Sequence, residues 1–307
     1  MSKLASLVWV DSPAALPHTL APGRFAVLDV AFASQDKFAG TERFIRTQGH
    51  RLAAWVDHHK HERWVDYQGD PRFVLVPNVN AHACPELVTP EVVARAGEVA
   101  HLLAHSDFDG MMSAVMWLRA GVPPYPEALE DARAADSPGR GHAFTERGRR
   151  LHDALEQHRD QAHTDARHAL LSEVVQSLVG GVESPDLGAR LDALAHKAAK
   201  VTAQAQALAQ RGRAEAPGVM VVRHGSNLSS RLKKAVLMLA ELRAEIGVVV
   251  EGQGPFHVTA ATFREDLDLG LVGSALPTGR SDYRFVNRID DPDAIIRALS
   301  VLARPYG

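Results

Sequence analysis

Cysteine is nearly absent: Cys84 is the single one in 307 residues. An internal disulfide is therefore excluded, and a reducing compartment, the cytoplasm, is expected. Aromatic side chains make up 6% of the chain, few for a protein that stacks a long single strand base by base. A large net charge is also missing. The formal value of −3 argues against a protein that coats long duplex nucleic acid, because that activity rests on neutralising many phosphates. A small anionic substrate held by a few placed cations remains compatible. No apolar run reaches the roughly 18 residues of a membrane span, so no membrane partner is expected. The amino-terminal MSKLASLVWVDSP stops at Asp11 and reads as a first strand rather than a signal peptide.

What is present is an ordinary soluble composition, 46% hydrophobic and 23% charged, with enough length for two domains. Histidine is abundant at 16 residues. His152, His158, His163 and His168 fall in polar helical stretches and read as solvated. The informative stretch is RLAAWVDHHKH, residues 51–61. Arg51 to Val56 has the length and apolar run of a buried parallel strand. It delivers Asp57, His58 and His59 to its carboxyl end, where open α/β sheets bind ligands. A carboxylate beside two imidazoles suits a divalent metal such as manganese, although on a surface loop the same tripeptide would be a solvated cluster.

Leu4 to Val10 and Arg24 to Val30 read as two earlier strands, the second reaching Asp29 near its end. A polar stretch with Phe38, Phe44 and Ile45 then reads as a crossover helix closed by Gly49, which makes a right-handed parallel unit. Phe73 to Val76 is another short strand, followed by a loop with Asn78, Asn80 and His82. A helix is expected near Pro90, with Thr89 as its cap. Residues 99–119, VAHLLAHSDFDGMMSAVMWLR, run from a strand through HSDFDG into an apolar-faced helix. If that turn is extended, His105, Asp107 and Asp109 come close together, and Gly110 lets the chain turn into the helix. The plainer reading has Asp109 capping the helix, His105 packed and Asp107 solvated. Asp131 and Asp136, in a helical stretch, are both candidates for a further ligand and both plausible surface residues. From about Arg147 to Arg213 the chain reads as helices connecting two domains. After Pro217 strands and helices alternate again, giving a compact second α/β domain. RHGSNLSSRLKK, 223–234, places His224, Asn227 and several cations at a helix start, an anion site or an ordinary cap.

With Asp29, Asp57-His58-His59 and His105-x-Asp107-x-Asp109-Gly all at strand carboxyl ends, the chain resembles the DHH-family phosphoesterases. RFAVLDVAF resembles that family's single-acid motif, AAWVDHHK its signature, and AHSDFDGMMSA its H-x-D-x-D-G motif. The usual order puts the last motif first, so this sequence looks permuted, which a parallel sheet tolerates because each motif has its own strand-to-helix turn. The resemblance implies a doubly wound parallel α/β metal domain over 1–180, a helical connection to about 215, and a smaller α/β substrate domain over 216–307. It implies two divalent cations, manganese by ligand type. Asp29 would bridge them, with His105 and Asp107 on one and His58, Asp109 and Asp136 on the other, Asp136 being favoured over Asp131. Asp57 would orient or complete that shell, and His59 would face the substrate. LPTGRSDYRF stands where the family has a glycine-rich loop, so Arg280, Ser281 and Arg284 are candidate phosphate contacts; Arg284 on an alternating strand could equally point at solvent. The implied activity is two-metal hydrolysis of short oligonucleotides or small nucleotides. A manganese-dependent pyrophosphatase or polyphosphatase is the enzyme alternative, and a catalytically silent nucleotide-binding module the other. A homodimer is allowed.

Overall fold

In the computed structural model, which describes residues 6–33, 37–137, 141–264, 267–279 and 283–303, the chain divides into two compact units. The first is Met1–Ser137 with His142–Ala195, and the main part of the second is His196–Gly307.

The first unit is built on five parallel strands: β1 Ser6–Val10, β2 Phe25–Leu28, β3 Leu52–Asp57, β4 Phe73–Leu75 and β5 His101–His105. Their order in the sheet is β1-β5-β2-β3-β4. β2 and β3 are buried along their whole length, the reason they read as uninterrupted apolar runs. Alternate residues serve the two faces. Ala26, Leu28, Leu102 and Ala104 join the core under the helices α2 Pro90–Ala96, α3 Phe108–Leu118 and α4 Ala128–Asp136. Phe25, Val27 and Leu103 face a smaller core with Phe38 and Phe44 of α1, Phe38–Gln48. Helices cover both faces, so the architecture is α/β and doubly wound.

The helices α5 Glu146–Gln161 and α6 Thr164–Gly180 are part of the first unit's core, because Leu151, Leu155, Leu170, Leu171 and Val174 pack into it. The next helix, α7 Pro185–Gln210, runs through the division between the units at Ala195 and His196.

The second unit carries a six-stranded mixed sheet. Its strands are β6 Arg213–Ala216, β7 Val219–His224, β8 Ile246–Glu251, β9 Phe256–Ala261, β10 Thr278–Gly279 and β11 Tyr283–Ile289, in the order β10-β11-β9-β8-β7-β6. β7 and β8 are parallel and the other pairs antiparallel. Two helices, α8 Ser230–Glu241 and α9 Pro292–Leu302, complete it, capped by Ser229 and Asp291. Among the described residues, no helix is long and apolar enough to cross a membrane.

Candidate metal centre

Parallel pairing in register brings the ends of three neighbouring strands to one edge. Leu28 pairs with Ala104 on one side and Val56 on the other, so Asp29, Asp57 and His105 emerge together. Asp29 has a left-handed backbone, φ 58°, which Asp and Asn tolerate better than other side chains, and its N–H donates to the Val56 carbonyl at 2.9 Å. Its carboxylate is 1% exposed.

Past β5 the chain turns directly into α3. Asp107 is itself the helix cap, accepting the Gly110 N–H at 2.9 Å, and Asp109 lies in the first turn of α3. The helix then carries Asp109 inward. Gly110 is needed for clearance, since a Cβ there would come within 2.3 Å of the His105 carbonyl oxygen.

The outcome is three interlocking groups of potential ligand atoms: Asp29 with His58 and His59, Asp29 with His105 and Asp107, and His58 with Asp109 and Asp136. His58 Nε2 lies 3.5 Å from Asp29, 3.5 Å from Asp109 and 3.4 Å from Asp136. His105 Nδ1 lies 3.7 Å from Asp29 and 2.8 Å from Asp107, the shorter contact lacking hydrogen-bond alignment. Asp29 belongs to both sides of the cluster.

The chemistry of these donors fits divalent cations. His58 Nδ1 lies 2.9 Å from the Ala81 carbonyl, which can only accept, so that nitrogen carries the proton. His58 Nε2 is then the nitrogen that faces the three carboxylates, placed to be a ligand atom. Both oxygens of Asp29, Oδ1 of Asp109, His58 Nε2 and His105 Nδ1 are buried without a hydrogen-bond partner. Burying that many acidic oxygens unpaired costs several kcal/mol per ion, and cations offset it. Two atoms each about 2.1 Å from one ion lie about 3.0 Å apart at a right angle and about 3.4 Å at a tetrahedral one. The contacts observed lie on either side of those spacings.

Without cations the same crowding shifts the titrations. Burial raises Asp29, the charge of Asp107 adds to it, and His105 opposes. Burial pushes Asp109 well up, with Asp29 and Asp136 adding to it. Burial alone would lower His59, but its hydrogen bond to Asp57 and the charges of Asp57, Asp29 and Asp136 push it up to about 10. His105 rises to about 11, burial being outweighed by Asp107 and Asp29.

Asp57 is fully buried and lies in none of the three ligand groups. Its Oδ1 accepts from the His59 backbone at 3.2 Å and from His59 Nδ1 at 2.8 Å, so it orients His59. Of the two further acids, Asp136 reaches the cluster. Asp131 instead accepts from the Thr145 N–H at 2.6 Å and the Thr145 hydroxyl at 2.8 Å, holding the start of α5.

Parts of this centre have no motif. The loop 81–84 supplies the Ala81 carbonyl to His58 and the Cys84 N–H to Asp109 at 2.8 Å, and a backbone group leaves no mark in a sequence. Asp11, at the end of β1, accepts from Ser106, from Arg167 at 2.8 Å and from His168 at 3.0 Å, so His168 is not merely solvated. The signal for Asp11 was its place one residue past a strand.

In the second unit, Arg284 donates to the carbonyls of Leu276 at 2.6 Å and Pro277 at 3.0 Å, tying the loop before β10. These contacts use its Nε and Nη2. His224 Nδ1 lies 2.8 Å from the Ser226 carbonyl, and Asn227 is exposed. Arg280 and Ser281 lie outside the described residues.

No known family and no curated protein matches the chain by sequence. Among solved structures, 91% of it is similar to 98% of a pGpG-specific phosphodiesterase, PggH, from Vibrio cholrae, at 12% identity and a TM-score of 0.43. The same share is similar to 74% of the exonuclease RecJ bound to manganese, at 15% identity and a TM-score of 0.37. An uncharacterised protein from Helicobacter pylori G27 overlaps at 10% identity and a TM-score of 0.26. Likeness this loose carries no argument about chemistry, which rests on the side chains above.

Proposed function

We propose that the chain is a DHH-type phosphoesterase that hydrolyses phosphodiester bonds of short oligonucleotides or small nucleotides with two divalent cations. The single observation that carries this reading is the convergence of His58 Nε2 on three carboxylates at 3.4–3.5 Å, while Nδ1 is held by the Ala81 carbonyl. Cations bound there would offset the charge of the crowded carboxylates. His105, Asp107 and Asp29 would hold one, and Asp29, His58, Asp109 and Asp136 the other; mixed carboxylate and imidazole donors suit manganese. Bound there, the cations would acidify a water and neutralise charge developing on the phosphate oxygens.

The chain's own part is orientation and one proton. Asp57 accepts from His59 Nδ1, leaving Nε2 as the nitrogen that can meet a substrate oxygen. The His59 side chain is 38% exposed, which leaves it open to donate a proton to a leaving oxygen. The buried side chains of Asp29, His58 and Asp109 keep bulk water from the cluster's floor. The mild net charge and sparse aromatics support a short substrate over a long strand.

An assay with added manganese tests this against its rivals. A phosphodiesterase cleaves bis-p-nitrophenyl phosphate and a dinucleotide, whereas a pyrophosphatase releases phosphate from pyrophosphate. Failure on all three substrates with metal bound leaves a binding module.

A further inference from the structure

The loop 81–84 orients two members of one ligand group, His58 and Asp109, and the third member, Asp136, is the last residue of α4. What sets the loop against α4 is a closed ring of polar contacts. Glu130 Oε1 accepts from His142 Nδ1 at 3.0 Å, which leaves the Nε2 of a neutral His142 as an acceptor. His82 Nδ1 then donates to it at 2.7 Å. The chain continues through Ala83, whose N–H donates to Glu86 Oε1 at 2.9 Å. Glu86 Oε2 accepts from Arg133 at 2.6 Å, and Arg133 returns to Glu130 at 3.3 Å. A cross-brace runs from the Ser137 hydroxyl, next to Asp136, to the His82 carbonyl at 2.8 Å.

We infer that this ring, with His82 and His142 as its adjustable link, positions the His58–Asp109–Asp136 group as a site for the second cation, independently of the Asp29–His105–Asp107 group. The inference rests on the metal reading proposed above. The other group hangs on different supports: His105 ends β5 and Asp107 follows it, in a turn held through Ser106 and Asp11. None of the ring residues is itself in a ligand group. They are positioning residues that act through Ala81, Cys84 and the end of α4. Loss of such outer partners typically weakens metal binding by 10- to 100-fold.

The geometry further specifies which replacement works. Asn at position 82 carries an amide N–H where the His82 Nδ1–H sits, whereas Ala carries none. The test is calorimetric titration of the metal-free full chain with manganese, with thermal unfolding checked for each variant. Wild type is expected to bind two ions. His82→Ala and His142→Ala should keep one affinity within threefold and weaken the other by roughly tenfold or more, and His82→Asn should restore it. Ser137→Ala, which deletes one hydroxyl, should weaken the same site and serves if either alanine variant unfolds. Equal weakening of both sites, no weakening of either, or failure of His82→Asn to restore binding overturns the inference while leaving the two-metal reading intact. A wild type that binds no ion overturns that reading first, and this one with it.

Discussion

Replacing Asp29 by Asn removes one charge and almost nothing else. The amide has the carboxylate's shape, and Asn tolerates the left-handed backbone that position requires. The side chain is 1% exposed and neither oxygen has a hydrogen-bond partner, so no packing or hydrogen-bond role is lost. Its two oxygens lie 3.5, 3.6 and 3.7 Å from His58, His59 and His105, within reach of both ligand groups. At such distances a unit charge contributes about 4 kcal/mol per partner charge before desolvation is subtracted. Even a net loss of about 3 kcal/mol in the transition state slows hydrolysis by more than 100-fold. In the metal-free protein the effect reverses. Burial already opposes ionisation of Asp29, so the neutral amide should leave the thermal midpoint unchanged or higher. The assay is bis-p-nitrophenyl phosphate hydrolysis at saturating manganese, beside thermal unfolding with and without metal. Turnover within threefold of wild type refutes the bridging role, and collapse of the metal-free fold assigns Asp29 a structural one.

Metal-free protein should become less stable as pH rises from about 6.5. His59 and His105 have folded-state values near 10 and 11, above the ordinary 6.5, so their contribution is complete below 6.5 and is lost towards 10–11. Asp29 and Asp109, also raised, act with the same sign from the ordinary carboxylate value upward; melts at pH 6.5 and 9.5 that show the opposite slope contradict the assignment of the two histidines. Asp131→Ala should destabilise the fold by about 1–3 kcal/mol, because the buried carboxylate's two hydrogen bonds from half-buried Thr145 are lost, while manganese stoichiometry stays at the wild-type value. A lost ion would make Asp131 a ligand. Arg284→Ala should lower the thermal midpoint and change KM for a dinucleotide by less than threefold, since its donors hold the loop at Leu276 and Pro277. A tenfold rise in KM would show a phosphate grip instead.

How much was legible follows from what a sequence can encode. Buried parallel strands are apolar runs, so β2, β3 and β5 and the acids and histidines at their ends could be read directly, and the α/β class with them. A cap is also local: Thr89 accepts from Val92 at 3.4 Å, as its place before Pro90 implied. Asp131 and Asp136 could not be separated by residue type, because five positions on one helix decide whether a carboxylate faces Thr145 or His58. The Ala81 carbonyl and Cys84 N–H were invisible for a different reason, since every residue carries them and only the tertiary path aims them. At HSDFDG the residue types alone do not say which acid caps the helix; in the structure Asp107 caps it and Asp109 lies in its first turn. Arg284 is a different case: its charge suggested an anion, and the carbonyls of Leu276 and Pro277 that it also bonds leave no mark in the sequence.

The central claim is that one cluster holds two cations, with Asp29 shared. Anomalous scattering from crystals grown with manganese tests it most directly. Two peaks are expected, one among Asp29, His105 and Asp107 and the other among His58, Asp109, Asp136 and Asp29. A single peak, or none in a lattice saturated with the metal, contradicts it.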